Sequence, residues 1–262
     1  MAESDRPRSP FAAMVDLSAQ KPVRVLSAGE IEEKLASHQL YLKTEYHEGH
    51  RADFSSADLT GLDFAGLDLR GIKMDRAVLR EATFIGANLR GANLIGATAQ
   101  EGRFDRADLS RARLSGANLV SASIVACLAK AEIEFAVMAN AVLQGACLCE
   151  ADMSGTVLDG SVLTRADLRK ANLRGTGLRD ARLDRADLRG ARLGSAVLAG
   201  ASLRGADLRG AYLRLAKLDA TDLSDACLEA VEGLTRGQLK RAQLSRGTKL
   251  PEGLIGAENG ER

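Results

Sequence analysis

Large apolar side chains recur at every fifth residue over most of the chain. From Phe54 to Ile124 each fifth residue is apolar, and a small or apolar residue stands two positions before it. After a slip of one residue at 124–128, the same period runs from Leu128 to Leu228. A helix would show a period of about 3.6 residues and a strand a period of 2.0, so this pattern predicts neither.

A period of five predicts a chain that turns a corner after every unit. Two inward side chains per unit, one small and one large, suit a narrow square tube in which four units make one coil. The 15 units before the slip and the 21 after it then give about nine coils. At a strand spacing of about 4.8 Å, these form a rod roughly 43 Å long. We therefore predict an all-β solenoid over residues 51–230, with the register slip inside it.

The individual units carry a recognisable motif. Several contain Ala-Asp-Leu or Ala-Asn-Leu followed by two turn residues, as in 87–91 and 206–210. They resemble the repeats of the pentapeptide-repeat family, and the resemblance extends from residue 52 to residue 228. It implies a right-handed quadrilateral parallel β-helix and a predominantly bacterial origin.

Both ends of such a tube would expose unpaired backbone, so caps are expected. Ser27 and Glu30 have the spacing of a capping box, and the apolar spacing after them predicts a helix over 28–48 within an N-terminal cap of 27–50. Residues 1–26, with mixed charge and three prolines, predict a disordered tail.

Residues 231–262 predict a C-terminal cap and tail. Thr235 is a candidate N-cap for a short helix within 233–244. The pattern is similar to the closing segment of many pentapeptide-repeat proteins, some of which form homodimers through this end. We expect Leu234, Leu239 and Leu244 to cover the last coil.

Candidate chemistry is sparse, and we expect neither catalytic residues nor a cofactor nor a metal site. His47 and His50 follow the predicted helix without a third ligand and favour a capping or solvent role. Cys127, Cys147 and Cys149 are expected on one outward side, and their spacing leaves a thiolate metal site or a redox pair open. Because stacked side chains point the same way, we expect their sulfur atoms not to converge.

Two departures from the repeat give candidate interaction surfaces. Residues 165–214 hold twelve basic and five acidic residues, although the whole chain has a net charge of only +1. The basic band contains stacked arginines, which form either a solvated ladder with intervening aspartates or a docking site for an anionic partner. Its candidate residues are Arg165, Arg169, Arg185, Arg189 and Arg209.

Apolar residues also take outward positions just after the slip. Exposed apolar patches often mark protein interfaces, although β-branched residues also suit any strand surface. This apolar patch consists of Phe135, Val137, Val142, Val157 and Val162.

These features favour a non-enzymatic scaffold that binds a protein partner in the cytoplasm, with no role at a membrane. Nucleic acid is not favoured, because no aromatic platform accompanies the arginines. The family resemblance also implies an alternative, the gyrase-binding DNA mimics of the quinolone-resistance kind. The near-neutral net charge and the basic band argue against it, since a DNA mimic presents an acidic surface. A homodimer through the C-terminal end stays open.

Overall fold

The protein, represented by a computed structural model that describes residues 23–254, winds as a four-sided parallel β-helix. Bridge residues occur at every fifth position, and each pairs with the residue one coil further along, as Asp53 does with Lys73 and Asp58 with Val78. Within the described range the pairing consists of isolated bridges, because a corner follows each one. Residues 1–22, most of the predicted tail, lie outside the described part.

The corners explain why the fifth position of so many units is glycine. The fifth residue adopts a positive φ, for example 68° at Gly61 and 57° at Ser56. A backbone bond closes each corner, as where the Ala57 N–H donates to the Phe54 carbonyl at 3.0 Å. Glycine accepts this left-handed conformation without a steric penalty, whereas other residues are strained by about 1–2 kcal/mol.

The aspartate before each central leucine has a structural role in these corners. The Asp58 carboxylate accepts a hydrogen bond from the Thr60 N–H at 3.0 Å, and Asp108 accepts one from the Ser110 N–H at 2.9 Å. Short polar side chains commonly satisfy backbone donors two residues ahead in this way. The Asp/Asn preference of the motif therefore stabilises the turn.

The axis of the tube is filled by the large apolar residues of the repeat. Phe64, Phe84 and Phe104 occupy the same position in successive coils, and their rings stack with centroids 5.0 and 4.9 Å apart. All three are fully buried. The alanines of the small positions pack beside them, so the core is continuous along the rod.

The register slip shortens one coil. Bridges join residues 20 apart before it and after it, but Asp108 pairs with Cys127 and Ser123 with Val142, 19 residues away. The corner between Ser123 and Cys127 is one residue shorter than the others, and no residue in it has a positive φ. The coil absorbs the deletion at this corner, so pairing continues on all four sides.

Helix α1, Ala28–Lys43, lies against the first coil. Ser27 and Glu30 form the predicted capping box, and the Gln39 side chain donates to the Asp68 carbonyl at 2.7 Å. The helix ends before residue 48, contrary to the prediction of 28–48. The Thr44 hydroxyl donates to the Leu40 carbonyl, and the next two residues have positive φ values, which a helix cannot continue.

The segment before α1 also differs from the expectation of disorder. Residues 23–26, which the sequence assigned to the tail, run beside the first coil. Arg24 donates its N–H to Ser56 and accepts at its carbonyl from the N–H of Asp58, at 2.8 and 2.9 Å. This short segment therefore satisfies some of the backbone hydrogen-bonding groups on the open edge of the first coil.

His38, on the buried face of α1, makes the stability of the fold depend on pH. Its Nδ1 accepts the Ala52 N–H at 3.3 Å, whereas Nε2 is buried and has no hydrogen-bond partner among residues 23–254. Burial lowers the pKa of His38, and the charges of Arg51 and Arg70 lower it further, against the opposing effect of Asp68. The unfolded chain then binds a proton that the folded chain rejects, so stability is complete above the ordinary histidine pKa and is lost as the pH falls through it.

We expect the urea midpoint of the N-terminal region to decrease between about pH 7 and pH 5. His38→Asn retains an acceptor for the Ala52 N–H but cannot titrate, so its midpoint should change much less over the same interval. An equal pH dependence in both proteins would contradict this role of His38. Circular dichroism at each pH provides the measurement.

Two short helices follow the last coil: α2, Arg236–Leu239, and a 3₁₀ helix, Glu252–Leu254. Thr235 is the N-cap, as predicted, and the Gln238 side chain donates to the carbonyls of Leu213 and Ala216. After α2 the chain returns to the tube, where Gln243 pairs with Asp222 and Lys249 with Cys227.

Leu234 and Leu239 pack against the core as predicted, together with Ala242 and Leu250. Leu244 does not, and it stays 42% exposed. It follows the bridge residue Gln243 and so occupies an axial position, but it belongs to the last turn of the tube and receives little cover. The prediction that Leu244 covers the last coil was wrong.

One exposed corner is expected to gain stability from glycine. Leu215 occupies a fifth position with φ 61° and is 68% exposed, so its side chain contributes little packing while the backbone is strained. Leu215→Gly should therefore raise the free energy of unfolding by about 1 kcal/mol. Leu244→Gly, an exposed leucine without a positive φ, should give no gain. Equal urea midpoints for the Leu215 variant and the parent would refute the expectation.

Candidate interaction surface

The predicted apolar patch covers two adjoining sides of the tube. Counting the side of Cys147 and Asp167 as the first, Val137 and Val157 pair on the third side, and Val142 and Val162 pair on the fourth. Val142 is 38% exposed, and the other three valines are half-buried. The four valines therefore form one surface, which begins at the shortened coil and extends across the corner between these two sides.

Phe135 adjoins this surface at the corner between the second and third sides. Its side chain is 70% exposed, and its φ of 57° shows that a bulky residue takes a strained corner position. A Cβ on Gly155, one coil further, would lie 2.7 Å from the Phe135 ring. The absence of a side chain at Gly155 thus gives the ring a place to lie along the rod.

The fourth side changes from apolar to basic directly after Val162. Arg182 pairs with Val162 in the next coil, and Arg165 and Arg185 occupy the following corner. With Arg204 they line an open groove of about 990 Å³, which we call the basic groove. Val162 belongs to both surfaces, so the apolar patch and the basic groove are continuous.

The arginines of the basic groove differ in how far they are neutralised. Arg204 pairs with Asp222 at 3.0 Å, and Arg182 lies 3.9 Å from Asp184. Among residues 23–254, Arg165 and Arg185 form no ion pair. Those two guanidinium groups are the available positive charges of the groove.

The other predicted arginines form a separate ladder at the corner after the first side. The guanidinium of Arg169 binds both carboxylate oxygens of Asp167 and reaches Asp187 of the next coil at 3.8 Å. This side-chain hydrogen bond lowers the pKa of Asp167. The same pairing recurs in the next two coils, for Arg189 with Asp187 and for Arg209 with Asp207.

The structure therefore divides the predicted site residues into two groups. The valines, Arg165 and Arg185 come together, with Phe135 at the edge, whereas the ladder lies at another corner. Sequence reasoning missed Arg182 and Arg204, although a spacing of 20 places Arg182 directly beyond Val162. It also missed the Thr164 hydroxyl, a groove-lining group that is buried without a hydrogen-bond partner in the described structure.

The cysteines converge more than the sequence suggested. Cys127 and Cys147 pair on the first side as predicted, but the Sγ atoms of Cys147 and Cys149 are 3.5 Å apart. Cys149 is a turn residue, so its side chain can approach its neighbour, which an argument from stacked positions does not foresee. Burial raises the pKa of the Cys147 thiol to about 12, so this thiol is protonated at neutral pH and is a weak nucleophile.

His47, one of the two histidines considered as ligands near α1, contacts the carbonyls of Thr44 and Glu45 at 2.9 and 3.1 Å. This is a capping arrangement at the end of the helix. In the range 23–254 no helix has the length and apolar composition needed to cross a bilayer.

The profile of the family described as Pentapeptide repeats matches the chain in eight copies. No curated protein matches this chain in sequence. The copies cover residues 50–75, 63–98, 72–111, 87–124, 126–155, 136–175, 156–194 and 196–231.

Solved structures with a similar fold include HetL, a pentapeptide repeat protein involved in heterocyst differentiation regulation in the cyanobacterium Nostoc. It is 29% identical with a TM-score of 0.60, and the match covers 88% of this chain and all of HetL. The plasmid-mediated fluoroquinolone resistance protein QnrB1 is 22% identical with a TM-score of 0.41, over 74% of this chain and 90% of QnrB1. A further Nostoc pentapeptide repeat protein is 36% identical over 40% of this chain and 84% of its own, with a TM-score of 0.35.

Proposed function

This chain belongs to the pentapeptide-repeat family, whose members fold as right-handed quadrilateral β-helices, and we propose that it is a non-enzymatic scaffold that binds a protein partner. In this proposal about nine coils, closed by the helical segments at the two ends, form a rigid rod. The partner lies along the fourth side. The rod works in the cytoplasm and presents a surface without performing chemistry.

The observation that carries the proposal is the continuity of the apolar patch with the basic groove. Protein interfaces combine a desolvated apolar centre with polar groups that fix orientation. Here Val142 and Val162 supply the apolar part, while Arg165 and Arg185, which form no ion pair within the described part of the chain, supply positive charges beside it. A protein segment with apolar residues followed by carboxylates has the complementary chemistry.

The arginine ladder has a different role in this proposal. Its guanidinium groups are already bound to aspartates in a repeating array, so a partner would have to break these pairs. Exposed pairs of this kind contribute about 1 kcal/mol or less each, and they keep the surface polar. We therefore assign Arg169, Arg189 and Arg209 to solubility and corner geometry.

The family member HetL is described as involved in a regulatory process, which accords with a scaffold. A DNA mimic that binds gyrase is not favoured for this chain, because such a mimic needs an acidic surface. Residues 165–214 instead carry a net charge of +7. Self-association through the C-terminal end is a second form of the scaffold proposal, and light scattering would measure it.

A selection from a displayed peptide library tests the partner chemistry. Peptides enriched on the full chain should combine apolar residues with Asp or Glu. The double variant Arg165→Glu, Arg185→Glu should bind them at least about tenfold more weakly, a loss of about 1.4 kcal/mol. Fluorescence anisotropy with the selected peptides gives the affinities.

Arg192→Glu is the matched control, since Arg192 is exposed on the second side, away from the groove. It should bind the same peptides nearly as the parent does. Equal affinity of the double variant and the parent, or an equal loss in the control, would rule out the basic groove as the binding site.

A further inference from the structure

The first side of the tube holds a cluster of three metal-binding side chains that lies outside the proposed interaction surface. The Sγ atoms of Cys147 and Cys149 and a carboxylate oxygen of Asp167 all lie within 4.8 Å of one another. Asp167 pairs with Cys147 in the next coil, and all three residues are half-buried. Among residues 23–254 no other group of this kind is as close.

The spacing of the two sulfur atoms fits a tetrahedral ion. Zinc–sulfur bonds of about 2.3 Å at a tetrahedral angle place two thiolates about 3.8 Å apart. The observed separation of Cys147 Sγ from Cys149 Sγ is 3.5 Å. The side chains therefore need only small rotations to place both sulfurs at ligand distance. The Asp167 oxygen lies within 4.8 Å of both sulfurs and must approach by about 1.3 Å at most.

The donor set selects the class of ion. Two thiolates and one carboxylate suit borderline cations such as Zn²⁺, whereas Mg²⁺ and Ca²⁺ prefer oxygen ligands throughout. Three protein ligands leave the fourth tetrahedral position open. Such an ion accepts one further donor from outside the chain.

Arg169 holds the carboxylate in place. Its Nε and Nη2 donate to the two oxygens of Asp167 at 2.8 and 2.6 Å. Oδ1 also accepts the backbone N–H of Arg169 at 3.2 Å, whereas Oδ2, within the described range, accepts only from Nη2 and retains a second lone pair. The ion pair is therefore compatible with metal coordination through Oδ2. Outer contacts of this kind fix the orientation of a ligand, and the positive charge offsets the anionic donor set.

We propose that Cys147, Cys149 and Asp167 bind one zinc-class divalent cation per chain. Each thiol releases one proton as its thiolate binds the ion, and Asp167 binds as the carboxylate it already is. This site differs from the sequence-based expectation of no metal, because that expectation placed the sulfurs too far apart. It is independent of the proposed partner surface on the fourth side.

Isothermal titration of the reduced full chain with Zn²⁺ tests the site, with Co²⁺ as a spectroscopic probe. We expect one ion per chain and thiolate-to-cobalt charge-transfer absorption. Cys147→Ser and Cys149→Ser should each weaken Zn²⁺ binding more than about tenfold, because each removes a direct ligand. Circular dichroism verifies that each variant keeps the fold.

Cys227→Ser is the matched control. Cys227 lies on the same side, beyond Asp207, and has no second thiol in the neighbouring corner. Its replacement should leave the stoichiometry, the affinity and the cobalt spectrum unchanged. No Zn²⁺ binding by the parent, or undiminished binding by both Cys147→Ser and Cys149→Ser, would overturn the proposal.

Discussion

Replacing Phe84 with alanine is expected to lower the free energy of unfolding by about 3–5 kcal/mol. Phe84 is the middle ring of the axial stack, fully buried between Phe64 and Phe104. Its removal leaves a cavity on the axis and forfeits two stacking contacts. The coils above and below are held by backbone bridges, so they cannot collapse to fill the space.

Differential scanning calorimetry and urea titration measure this effect. Phe135→Ala is the matched control, since it removes the same side chain from a position that is 70% exposed. It should change stability by about 0.5 kcal/mol or less. Similar losses in the two variants would show that the axial stack does not carry the expected stability.

The second large effect is expected at the junction of α1 with the first coil. Gly49 has φ 71°, and a Cβ there would collide with the Ser37 carbonyl oxygen and lie 2.9 Å from the Tyr41 nitrogen. Gly49→Ala therefore combines backbone strain with overlap against the helix backbone. We expect a loss of about 2–5 kcal/mol, localised to α1.

Hydrogen exchange distinguishes this local loss from global unfolding. Amides of 28–43 should exchange much faster in Gly49→Ala, whereas those in the distant coils should be unchanged, because each coil contacts only its neighbours. Gly61→Ala serves as the control, with φ 68° and open space around the added Cβ. It should cost only the strain of the corner, and unaltered exchange of α1 in Gly49→Ala would contradict the argument.

The regular part of the fold could be predicted because every unit repeats one local rule. Positions such as Leu89 and Leu193 are buried by the same corner geometry, so a count of five residues identifies the axis along most of the chain. The same arithmetic placed Val142 beside Val162. Because each coil contacts its neighbours, the spacing in the sequence directly predicts which residues meet in the structure.

The structure differs from the sequence-based predictions where side chains bind the local backbone or one another. The end of α1 depends on the Thr44 hydroxyl and on the positive φ of Glu45, which apolar spacing does not indicate. The approach of Cys149 to Cys147 depends on a turn rotamer. The division of the arginines depends on which guanidinium pairs with an aspartate: in the described range Arg169 does so and Arg165 does not.

From residue 53 to residue 232, paired positions lie 19 or 20 residues apart, and this separation has a consequence for synthesis. Once the first coil exists, each new stretch of that length can add to a template that is already formed, so no contact has to wait for a distant part of the chain. Since translation supplies about 5–20 residues per second, the ribosome would release roughly one coil every one to four seconds. The rod can therefore grow vectorially during translation, with its N-terminal end complete before the C-terminal end has been made.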